Sequence, residues 1–213
     1  MMLNKTSVYL LLVVFFAGST FTEVYAQETV QKPFVYGQVG LEGGNFGGVS
    51  LAGTYIFPSK YVVQVGYQFS VSSAKERPAD YHAGAIDLLT LGISSAKDTY
   101  NIFQVSFGKI LELNKHPKTR FNLLGGLGVS FGTKATNFEF DGTAFGLDPN
   151  YSFNTENATL LIVLVQPKIE FCLSHRNGIS VGPVLKITER ETLYGFSVNY
   201  IFGRLRNEIA IIE

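Results

Sequence analysis

The run Tyr194-Gly195-Phe196-Ser197-Val198-Asn199-Tyr200-Ile201-Phe202 constrains the fold more than any other stretch of the chain. Tyr194, Phe196, Val198, Tyr200 and Phe202 fill the even positions; Gly195, Ser197 and Asn199 fill the odd ones, with Ile201 the exception. That period of two belongs to a β-strand with one face against an apolar medium and the other face turned away from it. The pattern recurs upstream. Eight strands are predicted: Phe34 to Glu42, Val49 to Phe57, Tyr61 to Val71, Ile102 to Leu111, Arg120 to Phe131, Leu160 to Leu173, Ile179 to Thr188 and Leu193 to Phe202. Their lengths suit the roughly 9 to 11 residues that a tilted strand needs to cross a bilayer.

In the third strand Val63, Val65, Tyr67, Phe69 and Val71 share one face, and Gln64, Gly66, Gln68 and Ser70 the other. The fifth sets Phe121, Leu123, Leu127 and Val129 against Asn122, Gly126, Gly128 and Ser130, and the sixth sets Leu161, Val163, Val165, Ile169 and Phe171 against Gln166, Lys168, Glu170 and Cys172. A soluble barrel buries its apolar face and shows charge outside. Here the polar face is poor in charge and rich in Gly, Ser, Asn and Gln, which suits a packed lumen. The expected fold is all-β: a closed antiparallel up-and-down transmembrane β-barrel of eight strands, the β-structure that leaves no unpaired backbone in lipid. Pro167 and Pro183 fall inside strands, where a missing N–H removes a ladder bond, so a bulge or irregular pair is expected at each.

The N-terminus carries Lys5, an apolar core from Val8 to Ala17 and Val24-Tyr25-Ala26 before Gln27. It reads as a signal peptide over residues 1–26, with the barrel domain over 27–213. The apolar core, closed by Gly18, Ser19 and Thr20, is too short for a membrane-spanning helix. Lys+Arg and Asp+Glu both number 17, so the charge balance points to no nucleic-acid partner. The sole cysteine, Cys172, lies far from the signal and reads as a small strand residue rather than a disulfide or lipid-attachment site.

The connections between strands two and three, four and five, and six and seven are short and turn-rich, whereas those from Ser72 to Asn101 and Gly132 to Thr159 are long. Short turns at one end and long loops at the other match outer-membrane barrels, whose short turns face the periplasm. Both termini then lie on the periplasmic side. The Ala26-Gln27 junction, the eight amphipathic strands, the Val165-Gln166-Pro167-Lys168-Ile169-Glu170 strand and the closing Phe202-Gly203-Arg204-Leu205-Arg206 resemble the small outer-membrane β-barrel domain proteins common in Bacteroidota. The resemblance implies a location in the cell outer membrane and a fold, and it carries over no catalytic residue. Its expected partners are outer-membrane lipid, lipopolysaccharide and the machinery that assembles such barrels. The chain is expected to be a monomer without cofactor or metal.

Among chemical candidates, His82 lies in a long loop with Ser72, Ser73 and Asp87 nearby in sequence, but a triad is recognised by geometry, and a solvated loop histidine is the plainer reading. The Gly-rich runs Glu42 to Gly48 and Gly125 to Gly128 fail the phosphate-loop and dinucleotide spacings. Gln64, Gln68, Gln166, Lys168, Glu170 and Lys186 are expected to fill the lumen as a polar core, because buried charges must be paired. The second long loop concentrates Phe138, Phe140, Phe145 and Tyr151 with Asp141 and Asp148. Either the strands extend beyond the membrane as a hairpin with the aromatics packed on its rim, the favoured reading, or they form a contact surface for a partner. The expected role is structural or surface-interacting and non-catalytic. The alternatives are a small transport barrel for a narrow or apolar solute and, behind it, a lipid A modifying enzyme.

Overall fold

The computed structural model describes residues 33–82, 95–113, 118–141 and 149–205. The signal-peptide expectation, Asp87, Phe145, Asp148 and the residues from Arg206 onward lie outside them. Eight strands form a closed antiparallel ring: β1 (Phe34–Gly44), β2 (Phe46–Ile56), β3 (Tyr61–Ser73), β4 (Lys97–Glu112), β5 (Thr119–Phe140), β6 (Tyr151–Phe171), β7 (Asn177–Thr188) and β8 (Thr192–Gly203). Each pairs with the next, and β8 returns to β1 through nine residue pairs from Tyr36↔Gly203 to Gly44↔Gly195. The ring therefore has no open edge where all eight strands run together.

All the expected strands are present, but several are longer. β5 and β6 span 22 and 21 residues, so most of the stretch from Gly132 to Thr159 is a paired hairpin and not a loop. This is the extended hairpin favoured from its aromatics, and one of its faces is packed, with Ala135, Phe138, Tyr151 and Phe153 in one cluster with Tyr81. β4 starts at Lys97, which shortens the other long connection, and β1 and β2 are joined through Asn45 alone. The Asn45 side chain accepts from the Tyr194 amide at 2.8 Å and donates to the Thr192 carbonyl at 2.9 Å, tying this turn to β8.

The irregular pairing expected at the two prolines is present, as one interruption that both share. Val165 opposite Leu185 and Ile169 opposite Val181 keep the same register, which sets Pro167 against Pro183 with no shift. Both lost donors fall in one place, and the ladder resumes on either side. The one register shift on β5 and β6 lies between Thr136 and Glu139, where Asn137 and Phe138 face a single residue of β6. Asn137 takes φ 54° there, a left-handed conformation that asparagine tolerates better than most residues.

Outward positions carry Val39, Leu51, Val65, Val105, Leu127 and Val198. The register places Val65, Val105, Leu127 and Val163 in one row across four strands. On one side of that row lie Phe103, Tyr67 and Phe131, and on the other Phe107, Phe121, Tyr200 and Phe202. An aliphatic band between two aromatic girdles is thus the outer surface of the ring. A monomer in water rarely exposes a contiguous apolar surface of that extent.

Candidate functional site

The lumen is filled by side chains. Every strand except β2 sends an Arg, Lys, Glu, Gln or Asn inward. Strand parity places them there: once Val63, Val65 and Tyr67 face out, Gln64, Gly66 and Gln68 must face in. At the end that carries the short turns, Tyr36, Ile56, Val62, Ile110, Leu124, Cys172, Ile201 and Leu205 form an apolar cluster. At the hairpin end Phe46, Tyr100, Ile102, Ile162, Leu164, Val184 and Leu193 form another. Each adjoins a charged network.

The network beside the first cluster is centred on Glu170, which is wholly buried. Its Oε2 accepts from Arg120 Nε at 2.6 Å, and its Oε1 accepts from the Tyr36 hydroxyl at 2.7 Å and Asn122 Nδ2 at 3.0 Å. Lys168 Nζ lies 3.6 Å from the same carboxylate and donates to Gln38 Oε1 at 2.8 Å and Gln64 Oε1 at 3.0 Å. Arg120 also donates from one terminal nitrogen to the Leu205 carbonyl at 2.9 Å and stacks over Tyr36. Beside the second cluster, Lys186 Nζ meets Glu42 Oε2 at 2.6 Å and sits 4.1 Å from the Phe46 ring centroid, a cation–π contact. Gln68 donates to the same Glu42 oxygen and to Ser70. Between β6 and β8, Gln166 donates to Ser197 at 3.1 Å.

All six residues proposed for the lumen thus point inward, though not into one cluster: Gln64, Lys168 and Glu170 join the first network, Gln68 and Lys186 the second, and Gln166 stands apart with Ser197. Sequence reading missed Glu42 and Arg120, the partners that balance Lys186 and Glu170. Each stands near the end of its strand, where polar residues pass for turn residues. The signal that marks them is parity, since Glu42 shares the inward phase of Tyr36 and Gln38, and Arg120 that of Asn122.

The hairpin end is built as a rigid projection. Asn150, buried to 6% exposure, accepts at its side-chain oxygen from the His82 amide at 2.7 Å and donates from its side chain to the Asp80 carbonyl at 2.8 Å. Tyr151 donates to Asp80, which pushes its phenol above the usual range. Asp98 accepts from the amides of Lys75 and Ala135. The segment from Ala74 to His82 is thereby fastened to β5 and β6, with Tyr81 against Phe138 and Tyr151. Phe138 is packed and Phe140 is 65% exposed, while Asp141 is exposed at the hairpin tip. Ser72 is turned into the lumen, within 3.5 Å of Glu191, and His82 is exposed and held through its main chain. Among the described residues no hydrogen bond joins Ser72 to His82. Among the described residues no group of three or more His, Cys, Asp or Glu is placed to hold a metal ion.

No protein-family model matches the chain, and no curated protein sequence matches it. Among solved structures, the N-terminal β-barrel domain of Pseudomonas aeruginosa OprF is similar at TM-score 0.47 and 6% identity, covering 81% of this chain and 97% of that one. The Yersinia pestis attachment invasion locus protein Ail, crystallised with the heparin analogue sucrose octasulfate, is similar at TM-score 0.43 and 13% identity, covering 81% and 96%. The outer membrane protein Ail in a phospholipid nanodisc gives TM-score 0.45 and 14% identity, covering 80% and 99%. The eight-stranded ring rests on the strand register described above.

Proposed function

We propose that the chain is an integral outer-membrane barrel with a plugged lumen, its short turns in the periplasm and its β5–β6 hairpin outside, serving as a non-catalytic structural or surface-interaction protein. The observation that carries this reading is the lumen itself. Lys168 of β6 reaches Gln64 of β3 across it, ion pairs join β1 to β7 and the neighbours β5 and β6, and apolar clusters adjoin both networks. Eight strands enclose little more than such side chains occupy. The apolar band and its girdles supply the lipid-facing surface.

Ion conductance tests it. The full-length protein should carry no current in planar bilayers, and it should stay closed when residues 75–95 and 135–155 are shortened, since closure lies in the lumen and not in a lid. Steady single-channel currents from either form would replace the plugged reading by transport.

Orientation is tested by labelling. Cysteine replaces Ser59 or Asn154, both exposed, in a Cys172→Ser background. An impermeant maleimide on intact cells should label Asn154→Cys and spare Ser59→Cys. Labelling of the turn alone would invert the topology. Asn150, at the same end, is buried and is no fit reporter.

A further inference from the structure

The ladder between β6 and β7 ends at Ile162 opposite Thr188, yet β6 begins at Tyr151. From Tyr151 to Leu161 this strand is paired on its β5 side only, and among the described residues no main-chain hydrogen bond is made to its other edge. Ser152, Asn154, Thr155, Glu156 and Asn157 are exposed, while Tyr151 packs on Tyr81 and Phe153 on Phe138.

Proteins blunt unpaired edges with lysine, proline, bulges or a covering segment. The β5 edge of the same hairpin has such devices: a bulge at Asn137 and Phe138, Asp98 capping the Ala135 amide, and Tyr81 packed with Ala135. Among the described residues the β6 edge has none of them. From Tyr151 to Leu161 it contains neither lysine nor proline, and its one charge, Glu156, is taken up by Lys134 of β5 at 3.1 Å. Among the described residues one edge is guarded and the other is open.

We propose that the edge of β6 from Tyr151 to Leu161 receives an extended segment of another polypeptide as an added strand, antiparallel to β6, on the side where the β7 ladder stops at Thr188. A row of alternating N–H and C=O groups at strand spacing is matched by another main chain, and neither a glycan nor a lipid headgroup repeats in that way. A second copy of this chain does not fit. The inference rests on the proposed function in this point, that both copies stand upright in one membrane with strands tilted about 35–45°. Strands that pair lie alongside one another at about 4.8 Å. With equal tilts, that requires shifting one copy sideways by one or two strand spacings without rotation, and the two barrels would overlap. Any rotation about the membrane normal makes the strands cross instead.

The test uses the full-length protein in nanodiscs and a fluorescein-labelled peptide of alternating threonine and valine, flanked by lysines. Its comparison is the same peptide N-methylated at every residue, which keeps the side chains and loses the donors. The plain peptide should bind by fluorescence anisotropy, and the N-methylated one should bind weaker by roughly tenfold or more, since several main-chain hydrogen bonds go together. A protein in which Asn-Gly replaces residues 135–155, joining the opposed pair Lys134 and Glu156, should lose binding while keeping its heat-modifiable migration on gels. Equal binding of both peptides, binding to the trimmed protein, or no binding to the full-length one would overturn strand addition. Efficient disulfide dimers of Asn157→Cys in the Cys172→Ser background would overturn it in favour of a second copy. Failure here with a barrel that stays closed leaves the plugged reading intact, and ion currents would remove that reading without altering the peptide result.

Discussion

Replacing Glu170 by leucine should cost about 3–5 kcal/mol of folding stability, because it leaves cations buried without their counter-charge. Arg120 would lose its 2.6 Å partner, and the Tyr36 hydroxyl and Asn122 amide would lose their acceptor, all inside a lumen that offers no replacement. Lys168 keeps Gln38 and Gln64, so the larger share of the loss falls on Arg120. Removing both charges in Glu170→Leu/Arg120→Met should recover much of the stability, since the cost of one orphaned charge exceeds the net contribution of the pair. Urea unfolding in detergent, followed by β-sheet circular dichroism, measures both. A single substitution costing under about 1 kcal/mol, or a double whose cost equals the sum of its parts, would contradict the coupling.

Arginine at Leu127, in the middle row of the outer band, should cost about 2–4 kcal/mol when the barrel folds into bilayers. Leu127 is 67% exposed and flanked in register by Val105 and Val163, so the new charge would meet lipid chains on every side. Asn154→Arg, on the exposed hairpin, should be close to neutral. An inward comparison such as Gln166→Arg would mislead, because Gln166 is buried against Ser197 and a larger side chain has no room. Folded fraction in vesicles, read by heat-modifiable migration, separates the two. Equal yields would show that the band does not face lipid.

How much of this was legible in the sequence depends on where polarity alternates. β8 reads cleanly because Tyr194 to Phe202 meet an apolar medium on one face and the lumen on the other. The outer thirds of β5 and β6 do not, because Ala74 and Tyr81 pack on them in place of lipid and the bulge at Asn137 and Phe138 breaks the period. The prolines were visible and their pairing was not, since register is a relation between strands that neither carries alone. The lumen shows the same limit: Lys168, Glu170 and Lys186 stood out as charges in apolar strands, whereas Glu42 and Arg120 are recognisable as their partners only once the ring brings β1 to β7 and β5 to β6.

Beyond β8 the backbone turns at Gly203, with φ 134°, and carries Leu205 into the apolar cluster at the short-turn end. The seat that receives Leu205 combines Tyr36 of β1, Ile56 of β2, Val62 of β3, Ile110 of β4, Leu124 of β5 and Ile201 of β8. It takes β8 followed by β1 to β5, so it exists only once β8 has met β1. The amides of Gly203, Arg204 and Leu205 are likewise received by Arg176, Val35 and His175, from the two sides of the closing seam. A sheet whose β8 has not met β1 lacks this seat, so the docking of residues 203–205 accompanies closure of the ring.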